Sequence, residues 1–288
     1  MWHDVVDLRD FYESQLGQTA RRMVRRKVRA LWPDVRGRRV LGLGYATPYL
    51  RPFLNEAERV IAFMPAAQGV LHWPPEGPGD TALVDETDLP LPDSSVDLVL
   101  LAHGIESCEY QRDMLREIWR VLRGNGRLLV VAPNRRGIWA RSDRTPLGWG
   151  HPYSHAQLSR LLRDNMFTPT RGGRALFIPP VRSRTLLRAA PAWERMGARW
   201  FPRFSGVVLI EAGKQLYAPS ARAERKRLRR PMVVPMPQAA RPVARRARSQ
   251  AFGIPAGGAQ IAALLMDDRG RAAFGALADA HGPRAAAG

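Results

Sequence analysis

Cysteine is almost absent: Cys108 is the only one in 288 residues. That excludes an internal disulfide framework and any zinc site built on several thiolates. Lysine is nearly as scarce. Of 45 basic residues only Lys27, Lys214 and Lys226 are lysines; the other 42 are arginines. Together with 24 prolines and 25 glycines, this skew matches the codon bias of a GC-rich gene, which raises arginine without a partner requiring it. Long apolar runs are missing as well: none approaches the roughly 20 residues that span a bilayer. The opening stretch, MWHDVVDLRDFYES, has acids where a secretory leader has a basic and then an apolar segment. The reading is a soluble, cytoplasmic chain with no transmembrane segment. Acids are outnumbered 26 to 45, for a net charge of +19. Such an excess attracts polyanions whatever its origin.

Apolar residues make up 45% of the chain, enough for a real core, so a wholly disordered protein is excluded. The charge is uneven. Residues 218–288 hold 13 basic and 4 acidic residues, a net of +9. This stretch contains RAERKRLRR at 222–230, then prolines 231, 235, 237 and 242, which prevent a continuous helix. We read 1–217 as the folded domain and 218–288 as a basic, Pro/Ala/Gly-rich, mostly disordered tail.

Within the domain, Leu8, Phe11, Tyr12, Leu16, Ala20, Met23, Val24, Val28 and Leu31 recur at helical spacing. RRVLGLG and RVIAFM read as strands, and VDLVLLA and GRLLVVAP as strands buried on both faces. Helices are expected over 109–122, 155–164 and 183–200, and a last strand in SGVVLIEAGK. Alternation of this kind predicts an α/β fold, a doubly wound and mostly parallel seven-stranded sheet, with an N-terminal helix and an antiparallel strand at one edge.

The stretch VDETDLPLPDSSVDLVLLAHGIES, followed by MLREIWRVLRGNGRLLVVAPN, resembles the class I S-adenosylmethionine (SAM) dependent methyltransferases of the small-molecule type. The shared pattern is an acid ending the third strand (Asp85), Leu89-Pro90, Val96-Asp97 opening the fourth strand, and a helix Leu115 to Leu122. A glycine turn at Gly124 and Gly126 and the strand Leu128 to Ala132 complete it. The resemblance covers about 38–170. It implies a Rossmann-like methyltransferase sheet, SAM as cofactor and a small-molecule acceptor.

It also implies where the cofactor lies: on Gly42, Gly44, Tyr45 and Ala46 after strand one, Met64 after strand two, Asp85 and Glu86 after strand three, and His103 after strand four. Two acidic positions and two glycine positions depart from the family pattern. Gly42 stands where an acid faces the cofactor's amino group, and Met64 where a carboxylate takes the ribose hydroxyls. Ala46 and Pro48 replace two further glycines, and Thr47 is expected to cap a short or kinked helix. Losing two charge-assisted contacts weakens binding by roughly 10²–10⁴-fold. Glu56, Glu58 or Glu86 are candidate substitutes, and Trp73 is a candidate adenine platform.

Candidate catalytic residues are His103, at the carboxyl edge where open α/β sheets bind ligands, and His151 and Tyr153 in a long loop after strand five that covers the substrate in such enzymes. Glu106, Glu109 and Asp113 read as solvated charges, and no metal-ligand spacing is present. Three functions remain open: a SAM-dependent methyltransferase, a non-catalytic methyltransferase-like protein with an unidentified protein partner, and a nucleic-acid-modifying enzyme.

Overall fold

In the computed structural model the described residues are 4–181 and 183–216. The basic segment 218–288 lies outside them. Asp4 accepts from the N–H of Val6 and starts α1 (Val5–Glu13). Ser14 then ends that helix and caps α2 (Gln15–Leu31), its hydroxyl accepting from the N–H of Gly17 and donating to the Phe11 carbonyl. The single helical spacing read across Leu8 to Leu31 is therefore two helices. Their apolar faces stay in phase across a serine hinge, so both bury into one core.

The sheet follows: β1 (Arg39–Gly44), β2 (Arg59–Pro65), β3 (Thr81–Val84), β4 (Val96–Ala102), β5 (Leu122–Pro133), β6 (Phe167–Ala175) and β7 (Val207–Lys214). The helices between them are α3 (Thr47–Leu50), α4 (Gln111–Val121), α5 (His155–Asp164), α6 (Arg184–Arg188) and α7 (Ala190–Trp200). Strand order is β3-β2-β1-β4-β5-β7-β6. The first five strands run parallel, and β7 pairs antiparallel with both β5 and β6. The antiparallel strand thus sits one place in from the edge rather than at it. Residues 183–200 break at Ala189, two residues before Pro191, instead of forming one helix. Ala46, not Thr47, is the N-cap of α3, and no side chain caps it. That helix is short, as expected, and Pro52 lies in the 3₁₀ turn that follows.

Two core layers flank the sheet. One joins α1, α2 and α3 to one face through Leu8, Val24, Val28 and Leu50; the other joins α4 and α5 through Leu115, Ile118, Leu158 and Leu162. The Glu-x-x-Arg of α4 has a defined task. Glu117 accepts from the N–H of Leu89, while Arg120 donates to the carbonyls of Leu89 and Leu91 and pairs with Asp93. The helix therefore clamps the loop that leads into β4. Asp97 acts at the amino end of the sheet, accepting from the Arg39 N–H and pairing with Arg123. Buried Glu211 on β7 accepts from Trp32 and is flanked by Arg171 and Arg127. Among the described residues no helix is long and apolar enough to cross a membrane.

Candidate functional site

The strand order reverses between β1 and β4, so their carboxyl ends form the crevice where such sheets take ligands. Gly44 ends β1 with φ +75°, and a Cβ there would lie 2.4 Å from the Ala102 carbonyl of β4. Only glycine allows this backbone approach. His103 follows directly and holds φ +51° although it carries a side chain, a strained conformation in a fully buried place.

His103 anchors a buried polar cluster. Its Nε2 lies 2.7 Å from the Tyr12 hydroxyl, which lies 2.6 Å from the Tyr49 hydroxyl. Its Nδ1 faces Glu106 Oε1 at 3.5 Å. Its carbonyl accepts from Gln68 Nε2 at 3.1 Å, and the Gln68 carbonyl in turn accepts from the first N–H of α1. The cluster thus draws on α1, α3, the loop after β2 and the turn after β4. Tyr12 and Tyr49 are buried, and burial raises both hydroxyls above the ordinary tyrosine range.

Glu106 is the departure from expectation. Sequence placed it among solvated charges, whereas Glu109 and Asp113 are indeed exposed and Glu106 is fully buried. Among the described residues neither carboxylate oxygen receives a well-formed hydrogen bond; the groups that approach it are His103 Nδ1 and the backbone N–H groups of Gly104 and Glu106. Burial pushes its carboxyl up to about 7. It is enclosed because the turn after β4 folds beneath the loop at 149–153: His151 donates its N–H to the Glu106 carbonyl, and Gly150 packs against Glu106.

The other candidate residues fall around this centre. Gly42 lies inside β1, where a Cβ would meet Leu50 Cδ1 at 2.4 Å, so a side chain there requires Leu50 to shift. Tyr45 stacks on Tyr12 with centroids 5.8 Å apart. Met64 is fully buried at the end of β2. Asp85 is exposed at the end of β3, where its Oδ1 accepts from the N–H and hydroxyl of Thr87, which lower its carboxyl. Glu86 accepts from the Cys108 thiol, and Tyr153 donates its hydroxyl to the Ile105 carbonyl beside Glu106. The His151 imidazole is exposed. Glu56 and Glu58 do not reach the crevice; they pair with Arg29 and Arg39. Trp73 is buried and lines one cavity with Tyr12, Tyr45 and Met64. Glu106, Tyr12 and Gln68 were not found by sequence. The first reads as one acid among several, the second as one apolar position of a helix, and no periodicity marks the third.

The donor set fits a cationic cofactor. An exposed carboxylate stands at the end of β3, and a buried one whose charge is only partly compensated stands at the switch point. It lacks the carboxylates at positions 42 and 64.

Residues 41–130 match the family model described as a methyltransferase domain. A Mycobacterium tuberculosis protein named "Probable S-adenosylmethionine-dependent methyltransferase" is 52% identical over 48 residues, which cover 17% of this chain and 18% of that protein. A demethylmenaquinone methyltransferase of Chlamydia trachomatis is 36% identical over 61 residues, covering 21% and 27%. The chain therefore matches about a fifth to a quarter of the length of these curated relatives. Among solved structures, a chain of the complex between the Haloferax volcanii Trm112 methyltransferase activator and a methyltransferase aligns with TM-score 0.54 at 17% identity, covering 75% of this chain and 100% of that one. The [4+2]-cyclase SpnF aligns with TM-score 0.50 at 22% identity, covering 70% and 83%. Sheet order, the domain match and these superpositions agree: the chain has the class I SAM-dependent methyltransferase-like fold.

Proposed function

We propose that the protein is a SAM-dependent methyltransferase acting on a small-molecule acceptor at the β1–β4 switch point. The observation that carries this is Glu106, a buried carboxylate at that point whose oxygens receive no well-formed hydrogen bond among the described residues. A buried acid that its neighbours compensate only in part complements a positive charge. SAM supplies an electrophilic methyl group on a sulfonium centre. The chain's own residues do the rest. Asp85 and Glu86 take the adenine end, the Gly44 turn lets the backbone approach the ligand, and the 149–153 segment excludes water. Glu106, with a carboxyl near neutrality, takes a proton from the acceptor at a carboxylate oxygen, as a general base matched to the working pH does. His103 orients it through Nδ1, and Tyr12 holds His103 through Nε2.

The finer reading is that SAM binds weakly. Gly42 and Met64 supply no carboxylate, and Gln68 and Tyr12 bridge to His103 across the crevice. The same bridges favour a second reading, a methyltransferase-like protein that no longer catalyses and serves a protein partner. The likeness to a cyclase shows that this fold does not dictate one reaction.

Calorimetry of the full chain with SAM separates the two. Saturable heat that Glu106→Gln weakens supports the enzyme. No heat and no thermal shift at millimolar SAM leaves only the non-catalytic reading.

A further inference from the structure

A cavity of about 400 Å³ opens between α1, α2, α3 and the segment 71–75, on the α1 side of the turn after β1, with Tyr12, Tyr45 and Met64 in its wall. That volume suits a small molecule. Its apolar lining comes from Met64, Leu71, Tyr45 and Trp73. Its charged lining is one-sided: Arg9 from α1, Arg21 and Arg25 from α2, and Arg51 after α3, against the single carboxylate of Glu13. Asp85, Glu86 and Glu106 do not line it.

Two of these arginines have partners in exposed ion pairs, Arg9 with Asp10 and Arg51 with Glu76. Among the described residues the other two have none. Arg21 Nε is buried with no acceptor. Burial, and the charges of Arg21 and Arg51 nearby, hold the Arg25 guanidinium below its ordinary value. Like charges from two elements thus converge on a partly desolvated space, and the two from α2 are not neutralised there, an arrangement that an anion relieves.

We propose that this cavity binds a phosphate-bearing small molecule, its phosphate among Arg21, Arg25 and Arg51 and an aromatic body against Trp73 and Tyr45. Phosphate is favoured over carboxylate by geometry. Guanidiniums arriving from separate elements match a tetrahedral dianion that accepts from several directions, whereas a planar carboxylate satisfies one fork. The cavity shares Tyr45 and Met64 with the positions that the family resemblance gives to SAM, so the two ligands should compete; the phosphate site stands on the arginines and is tested without SAM.

Phenyl phosphate titrated into the full chain, by calorimetry and thermal shift, tests it. Saturable binding with a raised melting temperature is expected. Arg21→Gln and Arg25→Gln should each weaken it about tenfold or more. Arg22→Gln and Arg26→Gln, on the same helix but lining a neighbouring groove with Arg184 and Arg188, should leave it unchanged. Without ligand, Arg25→Gln should melt no lower than the parent, because it removes a repelled charge. Equal weakening by all four substitutions would reveal diffuse polyanion attraction and overturn the site, as would the absence of saturable heat. Inorganic phosphate binding as tightly as phenyl phosphate would overturn the aromatic body.

Discussion

A carboxyl that burial has pushed up to about 7 builds a pH dependence into the fold. Between its ordinary 4.5 and that value, native Glu106 keeps a proton that the unfolded chain has already released. Folding stability from this residue is therefore full below the window and falls as pH rises through it. Glu106→Gln should abolish the slope, leaving the variant more stable than the parent above the window by roughly 3 kcal/mol and equal to it below. Urea denaturation on either side of the window reads this directly; a variant destabilised on the alkaline side would mean that Glu106 is ionised and partnered. Tyr12→Phe removes the hydroxyl between Tyr49 and His103, both buried, and should cost about 1–2 kcal/mol by the same measurement. Gly44→Ala combines a positive φ with a clash against the Ala102 carbonyl, and a loss on the order of 2–4 kcal/mol is expected. Of these residues only Gly44 and His103 were legible in the sequence. Glycine after an apolar strand announces a turn. Nothing local tells a buried glutamate from a solvated one, because its burial is imposed by a loop more than 40 residues away.

At the scale of elements, the stretch that carries the family resemblance owes much of its pattern to architecture. Arg120 holds two backbone carbonyls, Asp93 and Glu117 at once, so Arg120→Ala should cost about 2–3 kcal/mol. Arg120→Lys should recover little, since an ammonium cannot serve the same fork. Equal melting temperatures for all three proteins would remove the clamp. The strands of this stretch were readable because burial on both faces writes a continuous apolar run. The serine hinge between α1 and α2 was not, because the apolar period passes through it without a change of phase. The position of β7 was not either. Its pairing with both 127–133 and 167–175 is a long-range event that no local spacing encodes.

For the whole molecule, the sequence reading draws the folded domain at 1–217. Removing residues 218–288 should then leave the melting temperature unchanged, and a large drop would move that boundary. One consequence of the strand order reaches beyond the finished fold. Because β7 is the last of the described strands yet lies between β5 and β6, those two strands have no neighbour to join them until residues 207–214 exist. A nascent chain on the ribosome carries the β1–β5 half-sheet with β5 as an open edge, and β6 unpaired, until the end of the domain is translated. Such edges invite pairing with other chains. Synthesis therefore passes through an interval of vulnerability that closes in one step, and a chaperone able to shield a strand edge would have its greatest effect during that interval.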